Sequence, residues 1–107
     1  MIAYLLLGLA IAAEVTATVS MKLSEGFSKL VPSLFVVGGY LVAFAALASV
    51  LKRGMPVGVA YAIWAAIGVA AVALIGVLFL GEPVNPTIVA GLALVIGGVV
   101  LIEVGSA

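Results

Sequence analysis

One carboxylate, Glu14, lies inside a long apolar segment of the 107-residue chain and is its strongest candidate for chemistry. At 1.5 Å per residue, a helix over Met1–Met21 holds this group near the middle of a bilayer. An ionised carboxylate there costs about 2.5 to 3.5 kcal/mol. The cost falls if Glu14 faces a water-accessible cavity, takes up a proton or meets a cation. No Lys or Arg lies deep in an apolar segment, so we expect Glu14 to bind protons and mobile cations.

Neighbours of Glu14 recur at steps of three and four residues and so share one helical face. They are Tyr4, Leu7, Ala10, Ile11, Ala17 and Thr18. Two later apolar segments repeat this spacing with residues that are mostly aromatic. They are Tyr40, Phe44 and Leu47 in the second segment, and Tyr61 and Trp64 in the third. Aromatic faces attract organic cations by about 0.5 to 2 kcal/mol each. A carboxylate with aromatic neighbours is the composition of a site for lipophilic cations.

Interfacial anchoring is the alternative explanation for some of these aromatic residues. Tyr and Trp are enriched where membrane helices meet water, which accounts equally well for Tyr4 and Tyr61. Tyr40 and Trp64 lie about ten residues into their apolar segments, where an interfacial role explains them less well.

The composition excludes several classes of protein. Hydrophobic residues make up 67% of the chain and charged residues 7%, whereas soluble domains carry about 25% charged residues. The absence of His and Cys excludes a Ser-His-Asp triad, a Cys nucleophile and a disulfide framework. We therefore expect no enzyme activity, no cofactor and no metal site. A net charge of zero disfavours nucleic acid as a partner.

Four segments meet the length of about 20 residues that a membrane helix needs. Three are uncharged, at Leu30–Leu51, Gly54–Gly81 and Pro83–Ile102, and Met1–Met21 is interrupted only by Glu14. Continuous apolar runs, rather than alternation, favour helices over barrel strands.

The sequence thus predicts an all-α protein of the cell (inner) membrane, with one domain over residues 1–107. The predicted spans are at about residues 2–21, 31–51, 57–80 and 86–104. Asn85 before Pro86 is typical of a helix N-cap and should start the last span.

The basic residues favour neither orientation in the membrane. With four spans, the first and third loops lie on one side and the second loop lies with the termini on the other. Lys22 and Lys29 fall in the first loop, and Lys52 and Arg53 in the second. Because Lys and Arg in short loops collect on the cytoplasmic side, this even tally leaves orientation open. We expect dual topology, with an even count by chance as the simpler alternative.

The size of the chain predicts self-association. Four packed helices fill their own centre and leave no room for a drug-sized ligand, so a cavity needs more helices. Gly91 and Gly98 are seven residues apart on one side of the last span, with Leu94 between them. Small residues let helix backbones approach closely in lipid. We expect this face to join two copies, with packing inside one chain as the alternative.

Several segments resemble the small multidrug resistance family. They are Ala13–Val15, Met21–Phe27, Pro32–Ser33 and Gly58–Trp64, and the resemblance extends over the whole chain. It implies an antiparallel homodimer that exports cationic compounds in exchange for protons, with Glu14 of both chains in one shared site. It also implies that Tyr40, Tyr61 and Trp64 contact substrate and that the other residues of these faces line the pocket.

Within that family the resemblance favours the quaternary ammonium, multidrug branch. The branch that exports guanidinium typically has a Trp three residues after the membrane Glu, where this chain has Ala17. The Tyr at position 40 is a further resemblance to the quaternary ammonium, multidrug branch. Guanidinium export, and a role as one subunit of a heteromeric pair, remain alternatives.

Two classes outside the family also need consideration. A proton-carrying rotor subunit is likewise small and built around one membrane carboxylate, but it is a two-span hairpin. A non-transporting membrane assembly protein would leave the costly Glu14 unexplained.

Overall fold

The computed structural model describes residues 1–106, which form four helices and no strand. The helices are α1 (Ile2–Leu23), α2 (Leu30–Lys52), α3 (Val57–Phe79) and α4 (Pro86–Ser106). All four are long and apolar enough to cross a membrane. The prediction of an all-α protein with four membrane helices is confirmed.

The chain divides into two compact units, each of which is a helical hairpin. The first unit is Met1–Met55, with α1 and α2, and the second begins at Pro56 and contains α3 and α4. The single domain expected over residues 1–107 stays a prediction.

A tight left-handed turn joins α1 to α2. Glu25, Gly26 and Phe27 all have positive φ, at 49°, 74° and 68°. Ser24 is fully buried; its hydroxyl donates to the Met21 carbonyl at 2.7 Å and accepts from the Phe27 N–H at 3.0 Å. These bonds hold two non-glycine residues in a conformation that L-residues rarely adopt. The chain thereby reverses within six residues, and α2 returns along α1.

The backbones of α1 and α2 come close together at Gly39. A Cβ added there would lie 2.8 Å from the Ala13 carbonyl oxygen and 2.8 Å from the Ala17 Cβ. Small residues allow such an approach, and van der Waals packing is a main driving force between helices in lipid. This contact, called the seam below, comprises Ala13, Ala17 and Gly39.

The second hairpin has well-defined helix ends. The Gly76 carbonyl accepts from the Leu80 N–H at 3.1 Å and the Glu82 N–H at 3.0 Å, while Gly81 takes a positive φ of 68°. Glycine in this left-handed conformation follows the end of many helices, and here it brings the Glu82 N–H back to the Gly76 carbonyl. The Asn85 side chain accepts from the Ile88 N–H at 2.9 Å, so the expected N-cap of α4 is confirmed.

The seam predicts opposite effects at two neighbouring glycines. Gly39→Ala should destabilise the protein by about 1 to 3 kcal/mol, because the new methyl group meets backbone atoms that cannot easily move. Gly38→Ala has open space within 4 Å and should be neutral or stabilising, since Ala favours a helix over Gly by about 1 kcal/mol. Thermal unfolding in detergent measures both. Equal melting temperatures for the two variants would contradict the seam.

Candidate functional site

Glu14 lies half-buried on α1, one helical turn before Thr18. Residues four apart face the same side of a helix. The Thr18 hydroxyl donates a hydrogen bond to Glu14 Oε1 at 2.7 Å. The carboxylate in the apolar helix therefore has a hydroxyl as its described partner.

The same hydroxyl joins α1 to α2. Thr18 Oγ1 lies 2.8 Å from the Tyr40 hydroxyl oxygen. A Thr hydroxyl has one hydrogen, and an ionised carboxylate only accepts. With Glu14 ionised, Thr18 must donate to Glu14, so Tyr40 must donate to Thr18. The result is a directed chain from Tyr40 through Thr18 to Glu14, called the hydroxyl chain below.

An aromatic surface continues from Tyr40 along α2. The rings of Tyr40 and Phe44 are stacked, with centroids 6.2 Å apart and planes 21° from parallel. Tyr40 is half-buried, whereas 58% of Phe44 is exposed. Leu47, one turn further on, is half-buried. Electron-rich ring faces connected to a carboxylate through one hydroxyl suit an organic cation.

The other predicted residues of the α1 face differ in exposure. Leu7, Ala10, Ile11 and Ala17 are buried, while Tyr4 in the first turn is exposed. Ala17 belongs to the seam with Gly39. Whether these five side chains line a pocket stays a prediction.

Tyr61 and Trp64 lie in the second unit, three residues apart and therefore on one side of α3. Tyr61 is 69% exposed and Trp64 is half-buried. Substrate contact by these two side chains stays a prediction.

Within the described part of the second unit, α3 does not cover the small-residue face of α4. Gly91 is exposed, Leu94 is 77% exposed and Gly98 is half-buried. Among residues 1–106, nothing lies within 4 Å of a Cβ added at Gly91 or Gly98. No residue from Pro86 to Gly105 is buried. These glycines are therefore not in close contact with α3 in the described part of the second unit, and their role in joining two copies stays a prediction.

Gly39, which sets the spacing between the two helices of the site, was not predicted from the sequence. Its signal was the pair Gly38–Gly39 directly before Tyr40. Glycine pairs are frequent in membrane helices, and only the register between α1 and α2 reveals which glycine faces the partner helix.

A second surface lies on the other side of the seam. It is an apolar groove of about 320 Å³. The groove is lined by Leu9, Ala12, Ala13, Thr16, Leu34, Phe35, Gly38, Gly39 and Val42. Thr16 turns its hydroxyl back to the Ala12 carbonyl of its own helix at 2.8 Å. The ionisable chemistry of this hairpin is therefore on the Glu14 side.

Comparison with known proteins gives consistent matches. A family model described as Small Multidrug Resistance protein matches residues 2–95. The Multidrug resistance protein mmr of Mycobacterium leprae is 50% identical over 105 residues, which cover 98% of each chain. The Nicotine metabolites export pump subunit NepA of Paenarthrobacter nicotinovorans is 51% identical over 98 residues, covering 92% of this chain and 84% of that protein. The Quaternary ammonium compound-resistance protein QacE of Escherichia coli is 44% identical over 100 residues, covering 94% and 90%.

Proposed function

Because the chain belongs to the small multidrug resistance family, we propose that it is a proton-coupled antiporter that exports lipophilic and quaternary ammonium cations. Family membership makes it a multidrug efflux transporter of the cell membrane rather than an enzyme. The proposal adds the coupling ion, the class of substrate and the residues that bind them.

The hydroxyl chain is the observation that carries this proposal. Glu14 is a carboxylate within a spanning helix, half-buried, and held by hydrogen bonds from Thr18 and, through it, from Tyr40. Hydrogen bonds from hydroxyls stabilise the ionised form without neutralising its charge. The negative charge thus remains available to a proton or a mobile cation.

Coupling follows from competition for this charge. A proton and an organic cation each remove the cost of an ionised carboxylate in lipid, and one carboxylate is neutralised by one of them at a time. Cation binding on one side therefore displaces protons, and cation release on the other side requires them.

The energetics depend on the proposed dimer, which has two copies of Glu14. Exchange of two protons for one monovalent cation moves one net charge, worth about 2.3 kcal/mol per 100 mV. A pH gradient adds about 1.36 kcal/mol per unit for each proton. Both gradients then drive export.

The aromatic residues support lipophilic cations as substrates. The stacked rings of Tyr40 and Phe44 offer a face to an organic cation, and we assign the same role to Tyr61 and Trp64. The printed name of QacE associates that relative with quaternary ammonium compounds. Ala17 stands where the guanidinium branch typically has Trp, so guanidinium is the second candidate substrate.

We assign the working unit as an antiparallel homodimer. The even split of Lys and Arg between the two sides of the membrane supports insertion in both directions. The open face at Gly91, Leu94 and Gly98 supports close contact between two copies of α4. NepA is named a subunit, which favours a heteromeric pair as the second candidate.

Glu14→Gln tests the proposed coupling. The amide keeps the shape of the side chain but cannot exchange a proton, so uptake of benzyltrimethylammonium into proteoliposomes should stop responding to a pH gradient. Glu25→Gln is the matched control, because Glu25 is exposed and pairs with Lys29 at 2.8 Å in the first loop. That variant should transport normally. Uptake that still responds to a pH gradient in Glu14→Gln would refute the proposal.

Trp64→Ala tests the proposed aromatic contact. Loss of one cation–π partner should weaken benzyltrimethylammonium binding by about 0.5 to 2 kcal/mol, roughly 2- to 30-fold in the dissociation constant. Trp64→Phe keeps a ring and should recover part of the affinity. Calorimetric titration measures all three proteins, and an unchanged constant in Trp64→Ala would remove this residue from the site.

Labelling of single cysteines tests dual topology, since the chain has no native Cys. Met55→Cys marks the second loop and Val84→Cys the third, and neither changes a charge. If the chain inserts both ways, an impermeant maleimide added outside intact cells should label about half of each variant, with full labelling after permeabilisation. Labelling of one loop alone from outside would exclude dual insertion.

A further inference from the structure

The hydroxyl chain has two possible directions, set by the charge on Glu14. When Glu14 is ionised, Tyr40 donates to Thr18 and Thr18 donates to Oε1. When Glu14 is protonated, its own O–H can donate to Thr18, and the Thr18 hydrogen can then turn to the Tyr40 oxygen. Thr18 bonds both groups through one hydroxyl, so the two ends change direction together.

We propose that Thr18 is a positioning residue that couples the charge of Glu14 to the hydroxyl of Tyr40. This inference rests on the proposed role of Glu14 as the site of protons and cations. Thr18 holds the ionised carboxylate toward Tyr40 and its stacked partner Phe44, where an organic cation would bind. When a proton arrives, the bond between Thr18 and Glu14 reverses its direction, and the bond between Thr18 and Tyr40 reverses with it.

The seam keeps the hydroxyl chain connected. Thr18 follows Ala17 and Tyr40 follows Gly39, and Ala17 and Gly39 are in direct contact. The backbone spacing at the seam therefore fixes the 2.8 Å between the Thr18 and Tyr40 oxygens. A wider helix pair would place these two hydroxyls out of reach of one another.

The other charged and titratable groups of α1 and α2 are distant from the hydroxyl chain. The remaining titratable side chains on α1 and α2, with the flanking loops, are Met1 (amino terminus), Tyr4, Lys22, Glu25, Lys29, Lys52 and Arg53. Each lies at least eight residues from Glu14 or Tyr40 along its own segment, about 12 Å by helix rise. Within the first unit, Tyr40 is the titratable group connected to Glu14, through Thr18.

Thr18→Val removes the hydroxyl and keeps the shape of the side chain. The readout is the pH at which the purified protein releases half its maximal protons on addition of benzyltrimethylammonium. A hydrogen bond to an ionised carboxylate is roughly twice as strong as one to the neutral acid. Loss of the hydroxyl therefore favours the protonated state, and the midpoint should rise by about one pH unit.

Two variants separate the hydroxyl from general effects on the helix. Thr18→Ser restores the hydroxyl and should return the midpoint to the wild-type value. Thr16→Val makes the same substitution two residues away, where the hydroxyl bonds only its own helix, and should leave the midpoint unchanged. A midpoint in Thr18→Val equal to that of wild type, or an equal rise in Thr18→Ser, would overturn the proposal.

Tyr40→Phe tests the connection itself. It keeps the ring that stacks on Phe44 and removes the hydroxyl, so it should raise the midpoint in the wild-type background. In the Thr18→Val background it should have no further effect, because the hydroxyl chain is already interrupted at position 18. Equal shifts in both backgrounds, or no shift in the single variant, would show that Tyr40 does not act through Thr18.

The outcomes distinguish this inference from the proposed function. If wild type releases no protons at any pH, the role of Glu14 fails and the inference fails with it. If wild type releases protons and the Thr18 and Tyr40 variants share its midpoint, only the role of Thr18 fails. Binding of benzyltrimethylammonium at alkaline pH checks that each variant is folded, and the Tyr40→Phe single variant decides alone if Thr18→Val does not bind.

Discussion

The cost of an ionised carboxylate in lipid is the constraint on which this molecule depends. About 2.5 to 3.5 kcal/mol is a large fraction of the stability of a small protein, and an apolar residue at position 14 would remove it. In the structure, Glu14 instead accepts a hydrogen bond from one hydroxyl of its own helix, and that hydroxyl bonds a second one from α2. Proton binding and cation binding would each relieve the cost, which is why we propose both at this residue.

Close packing of small residues makes that arrangement possible. A chain with 7% charged residues has few ion pairs to orient its helices, and lipid provides no hydrophobic force between them. Gly39 lies against Ala13 and Ala17 with no space for a further methyl group. This contact divides the first hairpin into a polar, aromatic side and an apolar groove. On α4, Gly91 and Gly98 have open space where a side chain would lie, and we propose that a second copy packs there in the same way.

Composition and spacing were sufficient to predict the parts of the structure that depend on local sequence. The spans follow from apolar length, the α4 cap from Asn85 before Pro86, and the shared face of Glu14 and Thr18 from helical periodicity. The partner of Thr18 across the hairpin could not be predicted, because it depends on the axial register of two helices, which the seam determines. The left-handed backbone of Glu25 and Phe27 could not be predicted either. It is stabilised by hydrogen bonds to the buried Ser24.

The most direct test of the central claim is a count of protons released per cation bound. Calorimetric titration of the wild-type protein with benzyltrimethylammonium, in two buffers of different ionisation enthalpy, gives this count at each pH. If protons and cations compete for the two Glu14 carboxylates of the proposed dimer, the count should approach about two protons per cation at low pH and fall to zero at high pH. Binding without proton release across the whole pH range would contradict the claim.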